Sequence, residues 1–271
     1  MRGAKKYFVG GDSHVLLKHG RIAGVDKITN NAVVKFLENE GPWDGYIHLG
    51  DLFDMNVISS FSKTNLRGIN GEDLIGQYRA GNAYMEQHAI ASGCLSRKFT
   101  LIEGNHENRV ERYIDAHPEL DGVLNLKHHL SKEVNPTWIP FWTEHEIWTV
   151  GKATFIHGIG SAHRQNEAAL RDYGTNVFMG HSHTMDSATL RYFGNDSTKV
   201  AHSLGCLCEY GQPYLRNRPT RWIQGFAVFY FWPDGRFNYF PVHINDHAFI
   251  SPSGKFYNGK KDKPDTQLVL K

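Results

Sequence analysis

"LIEGNHENRVERY" (residues 101–113) sets a glycine, an amide, an imidazole, a carboxylate and a guanidinium directly behind a short apolar run. With the residues around it, the stretch reads as a strand, "KFTLIEGNHE", that ends on a polar tip at Asn105 and His106. A helix follows over "NRVERYIDAHPELDGVLNLKHHL", broken at Pro118. Gly104 lets the chain turn sharply between the two. The same order of strand, polar tip and helix recurs along the chain, and that recurrence decides the fold.

"KYFVGGDSH" is a strand ending at Asp12 and His14, and the apolar spacing of "DKITNNAVVKFLENE" predicts a helix after it. "YIHLGDLFD" ends at Asp51 and Asp54, and "EDLIGQYRAGNAYMEQHAIAS" reads as the next helix. "IWTVGKATFIHG" and "NVFMGHSH" are read as later strands, ending at His157 and at His181 and His183. Between them "SAHRQNEAALRDYG" has helix composition and stops at Gly174. The last third is β-rich: "SATLRYF", "KVAHSLGCL" and "FAVFYFWPDGRFNYFPV", the last a hairpin around Pro-Asp-Gly. Strands alternating first with helices and then with strands imply a layered α/β domain, with sheet packed on sheet and helices outside. One domain over 1–247 is expected, with 248–271 as a polar tail and loose arm.

The 271 residues carry a formal net charge of +2, too little for wholesale wrapping of nucleic acid. Three cysteines give no disulfide framework and no CxxC pair, which fits a reducing cytoplasm. No apolar run reaches the roughly 18 residues of a membrane span, so no membrane partner is expected. Oligomeric state is not readable.

The tips carry Asp12, His14, Asp51, Asp54, Asn105, His106, His157, His181 and His183. Carboxylate, imidazole and amide oxygen suit borderline divalent metals such as Mn, Fe and Zn, and no thiolate is among them. The set exceeds what one tetrahedral ion needs. It suits two metals sharing a carboxylate about 3.5–4 Å apart, an arrangement used on phosphate esters.

In order, "GDSH", "GDLFD", "GNHE", "HG" and "GHSH" resemble the five signature blocks of the calcineurin-like metallophosphoesterase superfamily, across about two-thirds of the chain. The string "GNHENRVERY" also resembles phage-borne and bacterial members, which would act in the host cytoplasm. The resemblance implies a four-layer α-β-β-α sandwich, two packed mixed sheets flanked by helices. It implies a phosphoric ester hydrolase with two divalent ions, Mn foremost and Fe, Zn or Mg as alternatives. Asp12, His14 and His183 would hold one ion, Asn105, His157 and His181 the other, and Asp51 would bridge them. His106 would protonate the leaving oxygen, with Asp54 behind its imidazole. "GDLFDMN" departs from the phosphoprotein phosphatases, whose block continues with arginine and glycine where Met55 and Asn56 stand here. Retention of His106 with Asp54 favours a leaving group that needs a proton, so a phosphodiesterase or nuclease acting on nucleotide or single-stranded nucleic acid is the leading expectation, a phosphomonoesterase the second, and a non-catalytic scaffold the third.

Arg109 has two readings: a fork on a phosphoryl oxygen, or a partner for Glu107 or Glu111. His163 is read as a bystander, like the remaining histidines. Arg216, Arg218 and Arg221, set between Tyr214 and Trp222, read as solvated surface ahead of a nucleic-acid grip. Cys206 and Cys208 alternate on one face and read as small buried residues ahead of metal ligands.

Overall fold

Phe8 and Val9 are neighbours in sequence but lie in different cores, because successive side chains of a strand point to opposite faces of its sheet. The computed structural model describes residues 3–60, 62, 66–140, 147–158, 164–191, 198–211 and 219–270. Its strands are β1 (Lys5–Gly10), β2 (Leu16–Lys18), β3 (Arg21–Ala23), β4 (Gly45–His48), β5 (Phe99–Ile102), β6 (Thr137–Ile139), β7 (Trp148–Val150), β8 (Ala153–Ile156), β9 (Asn176–Met179), β10 (Met185–Arg191), β11 (Thr198–Leu204), β12 (Gly225–Phe231), β13 (Phe237–His243), β14 (Ala248–Ile250) and β15 (Phe256–Asn258). Its helices are α1 (Lys27–Asn39), α2 (Leu74–Ser92), α3 (Asn108–Ala116), α4 (Leu126–His129) and α5 (Gln165–Tyr173).

Two mixed sheets carry the fold, one ordered β13-β12-β1-β4-β5-β6 and the other β10-β11-β9-β8-β7. The outward residues of the first sheet, Phe8, Tyr46, Phe99 and Phe226, pack on Val33, Phe36, Leu37 and Tyr84 of α1 and α2. Its inward residues, Val9, Ile47, Ala227 and Phe229, meet Phe155, Phe178 and Leu204 of the second sheet. Ala169 and Leu170 of α5 cover that sheet's far side at Val177, Met179 and Ala201. The result is the expected α-β-β-α sandwich. Each fully buried phenylalanine contributes about 1.5–3 kcal/mol, so the layering is strongly specified.

β1, β4 and β5 run parallel in one sheet, and β8 and β9 run parallel in the other. All five tips leave the carboxyl ends of these strands. Among the described residues no helix is long and apolar enough to cross a membrane.

The helical stretch from 108 to 130 breaks at Pro118 as expected, into α3, a 3-10 turn at Pro118–Leu120 and α4. Two local expectations are corrected. "IWTVGKATFI" is not one strand but an antiparallel pair, β7 and β8, turning at Gly151 with φ 57°. The C-terminal segment is not a loose arm. β14 and β15 pair, Phe249 and Tyr257 are buried against Phe36, and Asp265 and Thr266 donate their backbone N–H groups to Glu38. Two aromatic anchors set among outward-facing lysines are enough to fasten a stretch whose composition is polar.

Candidate metal centre

The tips approach one another so closely that the backbone itself is constrained. A Cβ on Gly104 would fall 2.2 Å from Asp51 Oδ1, and one on Gly50, at φ 97°, would fall 2.7 Å from His157 Nδ1. Only glycine fits at either place. Asp12, His14, Asp51, His181 and His183 themselves have φ between 47° and 68°, a region that side chains with a Cβ occupy at a cost and that gathers at functional sites.

Two histidines show how the centre is aimed. His14 Nδ1 lies 3.1 Å from Asp54 Oδ1, and His157 Nδ1 lies 2.8 Å from the Leu49 carbonyl oxygen. A carboxylate and a carbonyl only accept, so each Nδ1 carries the proton and each Nε2 faces inward. His14 Nε2 meets His183 Nε2 at 3.0 Å, and His183 Nε2 lies 3.2 Å from Asp12 Oδ1. On the other side His157 Nε2 lies 3.0 Å from Asn105 Oδ1, 3.2 Å from His181 Nδ1 and 3.3 Å from Asp51 Oδ2. Asp51 Oδ2 is also 3.8 Å from His14 Nε2, so this carboxylate belongs to both halves. Ring nitrogens held this close, with their other nitrogen tied to an acceptor, form a metal-ligating arrangement. The donor set fits divalent ions.

The electrostatics agree. Burial pushes the Asp51 carboxyl up, but His106 and His157 outweigh it and hold the group well below the usual carboxylate range. Burial likewise opposes ionisation of Asp12, and His183 brings it below its ordinary value. Burial presses on His157 too, yet Asp51 and Asp12 outweigh it and raise the imidazole to about 9. Burial lowers His181 and takes His106 to about 4.

His106 reaches the same centre, its Nε2 3.8 Å from Asp51 Oδ2, but its ring is held by further partners. Its Nδ1 lies 2.8 Å from the Asp54 carbonyl oxygen and 3.0 Å from Asp54 Oδ1, while Arg109 Nη2 donates to its Nε2 at 2.9 Å. Burial raises the Asp54 carboxyl, but His106 and His14 pull it strongly down, so Asp54 is ionised behind both imidazoles.

The structure also gives places at the site to residues that the sequence left without a settled role. Asn56, noted only as a departure from the phosphatases, accepts from Arg109 Nη1 at 2.9 Å and donates to Asp54. Glu107 accepts the backbone N–H groups of Asp51, Phe53 and Gly104, bracing two tips together. Cys206 and Cys208 are buried as expected, but Cys208 Sγ lies 3.9 Å from His183 Nδ1. Trp222 sets its ring at 4.1 Å from that of His183. Asn56 and Glu107 sit inside the signature blocks or beside them, which is the signal that was available; Cys208 and Trp222 were visible only as an alternating cysteine pair and as the aromatic flank of the arginine loop. Arg221 is exposed, and His163, Tyr214, Arg216 and Arg218 lie outside the described residues.

No protein-family model matches the chain, and no curated protein sequence does. Among solved structures it is similar to Vps29 of Chaetomium thermophilum, at 10% identity over 89% of this chain and 98% of that one, with a TM-score of 0.41. It is also similar to the NAD nucleotidase (NadN) of Haemophilus influenzae, at 14% identity over 94% of this chain and 53% of that one, with a TM-score of 0.40. The five blocks converge on one centre between two packed sheets, as the resemblance to the calcineurin-like metallophosphoesterases implies.

Proposed function

We propose that the chain is a calcineurin-like metallophosphoesterase that hydrolyses phosphodiesters, with a nucleotide or an accessible single strand of nucleic acid as substrate. The observation that carries this reading is the shared carboxylate: Asp51 lies in one potential ligand group with His14 and His106 and in another with His157 and His181. Asp12 and His183 adjoin His14, and Asn105 adjoins His157. Two divalent ions bound there, with Mn the leading candidate, would lower the pKa of water and neutralise phosphoryl charge.

The chain's own residues supply the rest. His106, held by Asp54 through Nδ1, turns Nε2 away from that carboxylate; this nitrogen accepts from Arg109 here, and to protonate a leaving oxygen it would first take up a proton and give up that contact. Arg109 reaches the same nitrogen and adds a guanidinium suited to phosphoryl oxygens. The departing alkoxide of an unactivated phosphate ester requires a proton, and the His106–Asp54 pair is suited to supply it. Trp222 beside His183 puts an aromatic side chain next to the ligands, in keeping with a nucleobase-bearing substrate.

The test is hydrolysis of bis(p-nitrophenyl) phosphate beside p-nitrophenyl phosphate by metal-stripped protein reloaded with Mn. Efficient diester turnover with poor monoester turnover is expected. The reverse order would make the protein a phosphomonoesterase, and no reaction despite bound metal would favour a scaffold.

A further inference from the structure

A single file of buried polar side chains runs from beneath the metal centre to the C-terminal segment. His48 Nε2 lies 3.0 Å from Ser13 Oγ, and Ser13 donates to Tyr84 Oη at 3.0 Å. The Tyr84 ring lies against that of His88, centroids 4.1 Å apart, and Tyr46 Oη lies 2.8 Å from His88 Nδ1. His88 Nε2 meets Asn30 Oδ1 at 2.7 Å, Asn30 Nδ2 donates to Gln87 Oε1 at 2.8 Å, and Gln87 Nε2 donates to the Thr266 carbonyl at 2.8 Å. No member from Ser13 to Gln87 is more than 4% exposed.

Every bond in the file points the same way. The Thr266 carbonyl only accepts, so Gln87 presents its nitrogen to it and its oxygen to Asn30. Asn30 then accepts from His88 Nε2–H, which leaves His88 Nδ1 to accept from Tyr46. Ser13, donating to Tyr84, is left to accept from His48 Nε2–H. His48 Nδ1 is then a bare lone pair, and among the described residues it has no hydrogen-bond partner. Burial brings both His48 and His88 down to about 3, so the two rings are neutral, as this polarity requires. Aligned bonds of this kind reinforce one another.

At the inner end, Ser13 sits between two metal ligands. Asp12 and His14 have φ of 52° and 47°, a conformation that neighbouring structure must hold. Tyr84 and Tyr46 lie in an otherwise apolar core where phenylalanine would fill the same space, so the hydroxyls serve the file rather than the packing.

We propose that this file is a positioning device: it holds the Asp12–Ser13–His14 turn in its ligand-presenting conformation and ties that turn to the C-terminal segment at Thr266. Ser13, Tyr84 and Gln87 are its positioning residues. The inference rests on the metal reading of Asp12 and His14, so one arm of its test reads the turn without metal.

The experiment titrates metal-free full-length protein with Mn(II) by calorimetry. It also follows amide hydrogen exchange at His14 and Val15, whose N–H groups bond the Asp51 and Leu52 carbonyls. Ser13→Ala and Tyr84→Phe are each expected to weaken Mn(II) binding about tenfold, the scale of one buried hydrogen bond. Because they act through one contact, the double variant should bind no more weakly than either single variant. Gln87→Met, at the far end, should speed exchange at His14 and Val15 by about threefold or more on the same scale. Tyr84→Phe that lowers the urea midpoint while leaving metal affinity and exchange unchanged would overturn the proposal, and so would additive losses in the double variant. If the unsubstituted protein takes up no Mn(II), the metal reading fails, and the exchange arm alone decides: unchanged protection of His14 and Val15 in Tyr84→Phe would reject the device.

Discussion

Arg109 Nη2 donates to His106 Nε2 across 2.9 Å while Nη1 of the same guanidinium reaches the Asp54 carbonyl at 2.7 Å and Asn56 Oδ1 at 2.9 Å. Asp54 holds the opposite nitrogen of His106, so the imidazole is fixed from both ends. Only a planar fork can make these contacts together. Arg109→Lys is therefore expected to lower kcat/KM for a diester by about tenfold or more, with the bound-metal count unchanged. Steady-state kinetics beside metal analysis checks both halves, and unaltered kinetics would remove Arg109 from the site.

His106→Ala separates the leaving groups. An alkyl diester needs a proton on its departing oxygen and a nitrophenyl ester does not, so the variant should lose about 10²–10⁴-fold on the former and much less on the latter. Equal losses on both would contradict a proton-donating role.

Asp51→Asn removes the carboxylate that both ligand groups share. Occupancy should fall at both positions, read as metal per chain by elemental analysis after gel filtration. Retention of the full complement would exclude Asp51 as the bridge.

Glu72 supplies a pH test away from the ligands. Its side chain is almost fully covered, and burial, reinforced by the Asp54 carboxylate, raises it to about 7 although Lys18 Nζ lies 3.7 Å away. A carboxyl raised on folding stabilises the fold fully below its unfolded value of about 4.3 and loses that contribution as pH rises through about 7. Urea unfolding should thus show Glu72→Gln more stable than the parent at pH 8, with the difference gone near pH 4. The opposite order would mean that Lys18 dominates.

Tyr257→Ala tests whether the C-terminal segment belongs to the core. The ring packs 5.5 Å from Phe36 and 5.4 Å from Phe249, and its hydroxyl donates to Glu40 at 3.2 Å. A loss of about 3 kcal/mol in urea unfolding is expected. A loose arm would show almost none.

The sequence by itself determined the strand tips, their order and the ligand types, because strand endings are local events marked by glycine and polar residues after short apolar runs. From that order followed the two-sheet architecture and the candidates Asp12, His14, Asp51, Asn105, His157, His181 and His183. The tertiary structure alone decided what depends on contacts distant along the chain. Asn56 gained its place because Arg109, 53 residues later, reaches back to it. Cys208 came to lie beside His183, and polar residues from 248 onward became part of the core because Phe249 and Tyr257 find Phe36. Local periodicity reports which face of an element is apolar. It carries no information about which distant side chain meets that face, and that pairing is settled only when the sheets and helices pack.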